Sequence, residues 1–450
     1  MSISKNDTPL ACVILAAGKG TRMKSNRPKV MHELAGRPII QWLVSTVEDL
    51  QPAKIITVVG PDMDDVAAAV APHETAVQEK RLGTGDAVKA ALPTLSGFEG
   101  DVLILLGDAP LITASTLQSL INARHAQNET GLSVLGTHLE NPTGYGRLII
   151  GAESFLQKIV EEKDASEEEK NYTLVNTGAF CVSGEKLEGW VSRLDDDNAQ
   201  KEYYITDLPL IAAQDSFKTK VHVCDDPDEV KGINSRTQLA ALEDIIQNRL
   251  RIQAMENGAT LRDPSTIYFA HDTKIGRDVI IGQHVVFGPD VQIADNVTIH
   301  PYCHLEGVKV DEYASIGPFA RLRPGTSLER GVKIGNFVEI KNTHMGEGAK
   351  ANHLAYIGDA DVGRKVNFSA GAITVNYDGY EKHKTIIGDG AMVGCNANLV
   401  APVEIGDGAY VAAGSTITED VPKDALSVAR NRPIIRDQWA AKRRKNKTKA

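Results

Sequence analysis

Val279-Ile280-Ile281-Gly282-Gln283-His284-Val285-Val286-Phe287-Gly288-Pro289-Asp290-Val291-Gln292-Ile293 carries an apolar residue at every sixth position, Ile281, Phe287 and Ile293. The same count starts at Phe269 and Ile275 and continues through Ile299 and Leu305. After slips of one residue it resumes at Val310, Ile316, Leu322, Leu328, Ile334 and Ile340, then at Met345, Ala351 and Ile357, then at Val362, Phe368 and Thr374. A thirteen-residue step leads to Ile387, Val393, Leu399, Ile405, Val411 and Ile417. Six is too long for the alternation of a strand and too short for a helical-repeat unit, so a solenoid of short strands is expected. Each face of a triangular coil takes about six residues, with the apolar side chain inward and the neighbouring Gly or Asp at the corner. Successive coils stack at about 4.8 Å, which pairs their backbone groups.

The rest of the chain has another rhythm. Apolar runs Cys12–Ala16, Ile55–Val59 and Val102–Leu106 alternate with helix-like segments Ile39–Leu50, Asp64–Val70 and Ala114–Ala126, which predicts an α/β domain with a mostly parallel sheet. Ligands of such a sheet lie beyond the carboxyl ends of its strands. Ser235-Arg236-Thr237-Gln238 has capping-box spacing, and Leu239, Leu242, Ile246 and Leu250 continue a helical stripe toward Gly258. The expected domains are therefore 1–234, a linker helix 235–258, and a β-solenoid 259–450 ending in a basic tail. With 450 residues, 42% hydrophobic and 24% charged, the chain has ordinary multidomain globular values. A net charge of −10 argues against general nucleic-acid affinity. No apolar stretch approaches the roughly 18 residues of a membrane helix, and Met1–Pro9 is polar rather than signal-like. Cys12, Cys181, Cys224, Cys303 and Cys395 lack C-x-x-C spacing, which favours reduced thiols in a cytoplasm over disulfides or zinc.

Two stretches carry chemistry. Leu15-Ala16-Ala17-Gly18-Lys19-Gly20-Thr21-Arg22-Met23, followed by Pro28-Lys29, leaves a strand through a glycine-rich turn where backbone NH groups can approach phosphate oxygens. Lys19, Arg22 and Lys29 add the cations that a triphosphate needs beyond backbone dipoles, and Gly-Lys-Ser/Thr is absent, so this is not a P-loop. The second lies where the hexads slip: Arg321-Leu322-Arg323-Pro324-Gly325, Glu339-Ile340-Lys341, Asn352-His353-Leu354-Ala355-Tyr356 and Asn376-Tyr377-Asp378-Gly379 interrupt a rod of small and aliphatic residues.

The solenoid pattern resembles the hexapeptide-repeat left-handed β-helix of acyltransferases. The glycine-rich turn resembles the signature of sugar-1-phosphate nucleotidyltransferases, supported by Gln78 with Leu82-Gly83-Thr84-Gly85, Leu106-Gly107-Asp108, Gly144-Tyr145-Gly146-Arg147, Val160-Glu161-Glu162-Lys163-Asp164, Asn176-Thr177-Gly178 and Gly232-Ile233-Asn234. Together the two halves are similar to bifunctional N-acetylglucosamine-1-phosphate uridyltransferases and glucosamine-1-phosphate acetyltransferases. The resemblance implies a Rossmann-like nucleotidyltransferase domain, a homotrimer, and a UDP-N-acetylglucosamine product used for cell-envelope polymers. It assigns Arg22 and Lys29 to catalysis, and Asp108 and Asn234 to magnesium as hard oxygen donors. It assigns Leu15, Ala16, Gly18, Gly20, Lys29, Gln78, Gly83 and Thr84 to UTP, and Gly146, Glu161, Asn176 and Asn234 to the sugar.

In the acetyltransferase half the resemblance implies His353 as the base that collects the amine proton. Glu339 is the expected orienting partner. Arg323 and Lys341 are assigned to the sugar phosphate, and Tyr356, Asn367, Asn376 and Tyr377 to substrate binding. Ala370, Cys395, Ala413, Arg430 and Arg436 are assigned to acetyl-CoA. His271, His284, His300 and His304 are expected to be structural, and Asn376-Tyr377-Asp378-Gly379 taken alone is also compatible with a simple turn. The run Lys442–Lys449, with six cations in eight residues, is expected to be a flexible solvated tail.

The sequence departs from the family pattern in four places. Leu106 stands where Tyr precedes Gly-Asp, Arg81 and Asp86 stand where Gln and His flank the Gly-Thr-Gly turn, and Cys395 replaces Ser. Two other readings stay open from sequence. One is an adenylyl- or thymidylyltransferase with an accessory β-helix, which leaves His353, Tyr356 and Asn376-Tyr377 without a purpose. The other is a non-enzymatic scaffold related to nucleotidyltransferase-like regulatory subunits, which leaves Arg22, Lys29 and Asp108 without one.

Overall fold

The computed structural model describes residues 8–151 and 154–447, with side chains as far as residue 445. The first part of the polar amino-terminal stretch and the last residues of the basic run lie outside the described residues. Two compact units result, Met1–Gln247 and Asn248–Ala450, and their division falls inside the Arg236–Glu256 helix. Among the described residues no helix is long and apolar enough to cross a membrane. None of the five cysteines is disulfide-bonded. Burial raises the Cys12 thiol well above its ordinary value and the Cys303 thiol to about 11, so both behave as small apolar groups.

In the first unit the main sheet runs in the order Lys218–Cys224, Thr130–His138, Leu174–Ser183, Asp101–Leu106, Leu10–Leu15, Lys54–Val59, Glu74–Val77. Neighbours are parallel except around Leu174–Ser183, which is antiparallel to both of its flanking strands. The strands are apolar on both faces because both are covered. Ala11 and Val13 enter one core while Cys12 and Ile14 enter the other. Leu15 pairs with Leu106 in register, so the glycine-rich turn and Gly107-Asp108 leave the sheet side by side. The Gly107 NH donates to the Leu15 carbonyl at 2.9 Å and fixes that adjacency.

The Arg236–Glu256 helix is capped as its spacing predicts, the Ser235 hydroxyl accepting from the Gln238 NH at 3.2 Å. The reciprocal half differs from a capping box: Gln238 accepts from the Asn234 NH at 2.8 Å, one residue earlier. That bond ties Asn234, an expected metal ligand, to the start of the helix.

The second unit is a rod of parallel coils whose three inner columns follow the hexads. One column runs Ile275, Ile293, Val310, Leu328, Met345, Val362, Ile387, Ile405. The next runs Ile281, Ile299, Ile316, Ile334, Ala351, Phe368, Val393, Val411. The third runs Phe287, Leu305, Leu322, Ile340, Ile357, Thr374, Leu399, Ile417. All are buried in one core except Ile275, at the open first coil, which is half-buried, and Thr374 meets the apolar column as a satisfied polar group. Its hydroxyl donates to the Gly358 carbonyl at 3.0 Å and accepts from the Gly358 NH at 2.7 Å.

The thirteen-residue step is a surface loop inserted at one corner, since Val362 pairs directly with Ile387 one coil on. At the far end Trp439–Lys447 is helical, and its described side chains from Trp439 to Lys445 are largely exposed. The described part of the basic run is solvent-exposed, as expected, and takes the helical form that Ala, Lys and Arg favour. Replacing Leu322 by Ala, 1% exposed in the third column, removes buried methyls that the rigid coils cannot move in to replace. It should lower the unfolding free energy by about 3 kcal/mol, measured by denaturant titration of the variant against the parent.

Candidate active sites

Beyond the carboxyl edge of the first unit's sheet lie two adjoining chambers that share Thr84, Leu106 and Asp108. One, of about 310 Å³, is lined by Leu15, Ala16, Gly18, Lys29, Gln78, Gly83 and Thr84, seven of the eight residues assigned to UTP. Gly20 is not on its wall. At φ 60° it lets the chain pass Lys29, where an added Cβ would stand 2.5 Å from the Lys29 Cβ. Lys19 is exposed and lines neither chamber. The other chamber, of about 320 Å³, gathers Gly146, Glu161, Asn176 and Asn234 with Arg22 and Asp108.

Where the chambers meet, the Lys29 ammonium forms an ion pair with Asp108 and donates to the Asn234 Oδ1 at 2.9 Å. The two oxygens expected to hold magnesium therefore face a single cation. Two hard protein donors suit an ion that keeps several waters and substrate phosphates. No cluster of three His, Cys, Asp or Glu side chains able to hold a metal occurs among the described residues. Burial first, and then Asp108, raise the Tyr145 phenol, which lines the same chamber.

Glu161 is also raised, chiefly by burial, and the acidic neighbours Asp164, Asp207 and Glu202 add to the shift. The Thr206 hydroxyl, donating at 3.1 Å, only partly offsets it. Asp207 is pushed up to about 6 by burial and by Asp195 and Asp164.

In the second unit His353 and Asn336 are register partners on successive coils, and the His353 Nδ1 bonds the Asn336 Oδ1 at 2.9 Å. With Nδ1–H donating to the amide oxygen, Nε2 keeps its lone pair for a proton. This corrects the expected role of Glu339. That residue pairs with Tyr356 on a different face of the coil, and its carboxylate accepts from Arg323 at 2.8 Å. Sequence reasoning missed Asn336 because the contact crosses one coil, a spacing the hexad count alone does not connect to His353.

It also missed Lys382. The inserted loop is pinned by the Asp378 carboxylate, which accepts from the Tyr380 and Glu381 NH groups at 2.8 and 2.7 Å and from His383 at 2.7 Å. So held, the loop brings the Lys382 ammonium against Lys341, and that contact lowers Lys341 below its ordinary value. Two crowded ammonium groups, with Arg323 close enough to contribute, form a place for a dianion. Opposite them Asp359 is raised by burial, but hydrogen bonds from Asn342 and Asn376 and the ammonium of Lys341 hold it below its ordinary value. Tyr377 is exposed and its hydroxyl donates to the Gly379 carbonyl at 2.7 Å. Asn367 donates to the Ser369 hydroxyl at 3.1 Å.

One outer corner links His353 to the positions assigned to acetyl-CoA. Asn336, His353, Ala370, Cys395 and Ala413 each follow an inner residue of the second column by two places, on successive coils. Backbone bonds Gly371 to His353, Asn396 to Ala370 and Gly414 to Cys395 connect them. The next residue of each coil makes the corner's outer edge. On the amino-terminal side it is a stacked ladder of His284, Tyr302, Phe319 and Phe337, with ring centroids 5.0, 4.9 and 5.2 Å apart. Past Leu354 it becomes Gly371, Asn396 and Gly414. His353 thus stands where a bulky edge gives way to a slot of small residues, and Arg430 reaches its far end, 3.8 Å from where a Gly414 side chain would begin. Cys395 is exposed in the slot. Arg436 is exposed and is not brought to it.

Such a chain, a mostly parallel α/β nucleotidyltransferase fold followed by a left-handed β-helix of hexapeptide coils, is a two-headed transferase. The MobA-like NTP transferase domain family matches residues 12–164, and the bacterial transferase hexapeptide family matches residues 272–307 and 384–419. A protein of Paramagnetospirillum magneticum named Bifunctional protein GlmU is 50% identical over 431 residues, 96% of each chain. Namesakes from Zymomonas mobilis and Staphylococcus haemolyticus are 44% and 41% identical, over 98% and 96% of this chain and 99% of their own. The chain belongs to the GlmU family of bifunctional uridyltransferases and acetyltransferases.

Asp207 supplies a pH test. Its folded value of about 6 lies above the ordinary 3.8, so the folded state binds more protons between those values, and stability falls as pH rises through that window. Asp207→Asn should therefore gain on the order of 2 kcal/mol at pH 8 and nothing at pH 3.5, read from denaturant unfolding at the two pH values.

Proposed function

We propose that the protein acetylates the amine of glucosamine-1-phosphate with acetyl-CoA in the β-helix, then joins the product to UTP in the α/β unit. The products of the second step are UDP-N-acetylglucosamine and pyrophosphate. The observations that support this reading are the gathering of Lys29, Asp108 and Asn234 at one point in the first unit and, in the second, the contacts of His353 with Asn336 and of Lys341 with Lys382.

In the uridylyl step the sugar phosphate attacks the α-phosphorus of UTP and pyrophosphate leaves. Little covalent work falls to the protein, so charge balance and in-line positioning are its contribution. Arg22 and Lys29 neutralise phosphate charge, and Gly146, Glu161 and Asn176 hold the acetylated sugar in the chamber they line. Asp108 and Asn234 would hold Mg2+, a fit supported by their joint reach to one ammonium. When bound, the ion withdraws charge from the phosphates it contacts.

In the acetyl step the sugar amine attacks the thioester carbonyl, His353 Nε2 takes the amine proton, and coenzyme A leaves as the thiol. The reference values of an imidazole, about 6.5, and an amine, about 7.7 to 8.0, are close enough for that transfer. Asn336 holds the ring in the required tautomer. Arg323, Lys341 and Lys382 take the sugar phosphate, and Tyr356, Asn367, Asn376 and Tyr377 surround the sugar. The small-residue corner with Arg430 takes acetyl-CoA.

A homotrimer in the cytoplasm fits this reading. Ile434 and Ile435, 87% and 82% exposed beside Arg436, are the kind of apolar arm that a neighbouring copy covers. We divide the chain for assay at 1–234, 235–258 and 259–450.

Asp108→Ala should abolish pyrophosphate release and leave acetyl transfer intact. His353→Ala should lower acetyl transfer at least about a hundredfold and leave uridylyl transfer intact. Asn336→Leu, which frees the ring without removing it, should lower acetyl-transfer kcat about tenfold. Loss of both activities from either of the first two variants while still folded defeats the division of labour. Product analysis with glucosamine-1-phosphate, acetyl-CoA, UTP and magnesium tests the whole reading, which fails if no UDP-linked acetylated hexosamine forms.

A further inference from the structure

Asp86 has no assigned role, yet it bonds Gln78 in the wall of the 310 Å³ chamber. Gln78 continues the sheet edge, its NH donating to the Val59 carbonyl at 2.9 Å, and its side chain enters the chamber wall. The carboxamide nitrogen donates to the Gly83 carbonyl at 2.9 Å and to the Asp86 Oδ2 at 2.8 Å. Both partners are acceptors only, so the NH2 group must face them and the carboxamide oxygen must face the other way. Among the described residues that oxygen accepts no hydrogen bond and is not one of the sealed, unpaired atoms, so it remains open to the chamber. The same Asp86 oxygen accepts from the Leu82 NH at 3.2 Å, and Asp86 lies in the first turn of the Thr84–Ala91 helix, where a negative charge is favoured.

We propose that Asp86 is a positioning residue that sets base selectivity by locking the Gln78 carboxamide with its oxygen toward the base. This rests on the reading that Gln78 faces the pyrimidine of the nucleotide. Uracil presents an N3–H donor at the centre of its pairing edge, and cytosine presents a bare N3 acceptor. A locked oxygen accepts from the first and meets the second lone pair to lone pair. A carboxamide free to turn would offer its NH2 to cytosine and lose the distinction. Thymine carries the same N3–H as uracil, so this device separates UTP from CTP but not UTP from dTTP.

The test uses the full-length protein with CTP and dTTP as competitive inhibitors of uridylyl transfer, each inhibition constant divided by the KM for UTP. In Asp86→Asn, which keeps the shape and removes the obligate acceptor, the CTP ratio should fall about tenfold, as expected for losing a hydrogen bond to a charged group. The dTTP ratio should stay within about twofold of the parent. Asp86→Ala should behave likewise, and acetyl transfer by the same preparations reports that each variant is folded. If Gln78→Ala lowers the CTP ratio while both Asp86 variants leave it unchanged, Asp86 has no such role and Gln78 keeps its contact. If the CTP ratio is unchanged in all three variants, the base does not meet Gln78 and the proposal falls with that reading. Equal falls in the CTP and dTTP ratios would mean a general loosening of the chamber and would also overturn it.

Discussion

Parallel strand pairing in register places equivalent positions of distant segments beside one another at a common edge, and both sites depend on it. In the first unit the pairing of Leu15 with Leu106 ends two strands together, so the glycine-rich turn and Asp108 emerge as neighbours. In the second unit every coil repeats the pairing, and each outer corner becomes a column with one residue per coil. Chemistry is then a matter of which side chain occupies which rung. A slip of one rung would separate His353 from Asn336 and close the small-residue slot.

The departures from the family pattern are integrated into this framework. Leu106 fills the floor common to both chambers and packs against Gly178, where an added Cβ would collide with its Cδ1. Arg81 donates to the Ala17 carbonyl at 2.7 Å and pairs with Asp62, bracing the glycine-rich turn from outside. The Arg81 guanidinium beside Asp62 accounts for most of the lowering of that carboxyl, burial opposing it, with Lys19 adding a little. Cys395 keeps a small exposed side chain on the slot wall, where bulk would obstruct more than a weaker hydrogen-bonding group would. These side chains leave the contacts among Lys29, Asp108 and Asn234 in place.

Electrostatics divides the two sites differently. In the first unit burial and acidic neighbours raise Glu161 and Asp207, while Arg22 and Lys29 bring positive charge to the chamber walls. In the second unit the Lys382 ammonium on the inserted loop is pressed against that of Lys341 on the Glu339–Met345 strand, and Asp359 beside them is held below its ordinary value. Each arrangement stores unfavourable like-charge proximity that an oppositely charged group relieves.

The hexads were readable because the inner position of a coil tolerates little but an aliphatic or small side chain, so Ile281, Ile316 and Val411 announce the rod without help from neighbours. The same holds for the glycine-rich turn after Cys12–Ala16, where strand, turn and cations follow in one stretch. The contacts that orient chemistry were not readable. Asn336 against His353, Lys382 against Lys341, and Asp86 against Gln78 each join residues whose identities permit many partners. The sequence by itself determined the two folds, the family and most chamber-lining residues, because local periodicity and backbone geometry dictate them. Only the tertiary structure decided which polar groups face each other, because hydrogen bonds depend on register across strands and coils, and one acceptor in sequence looks much like another.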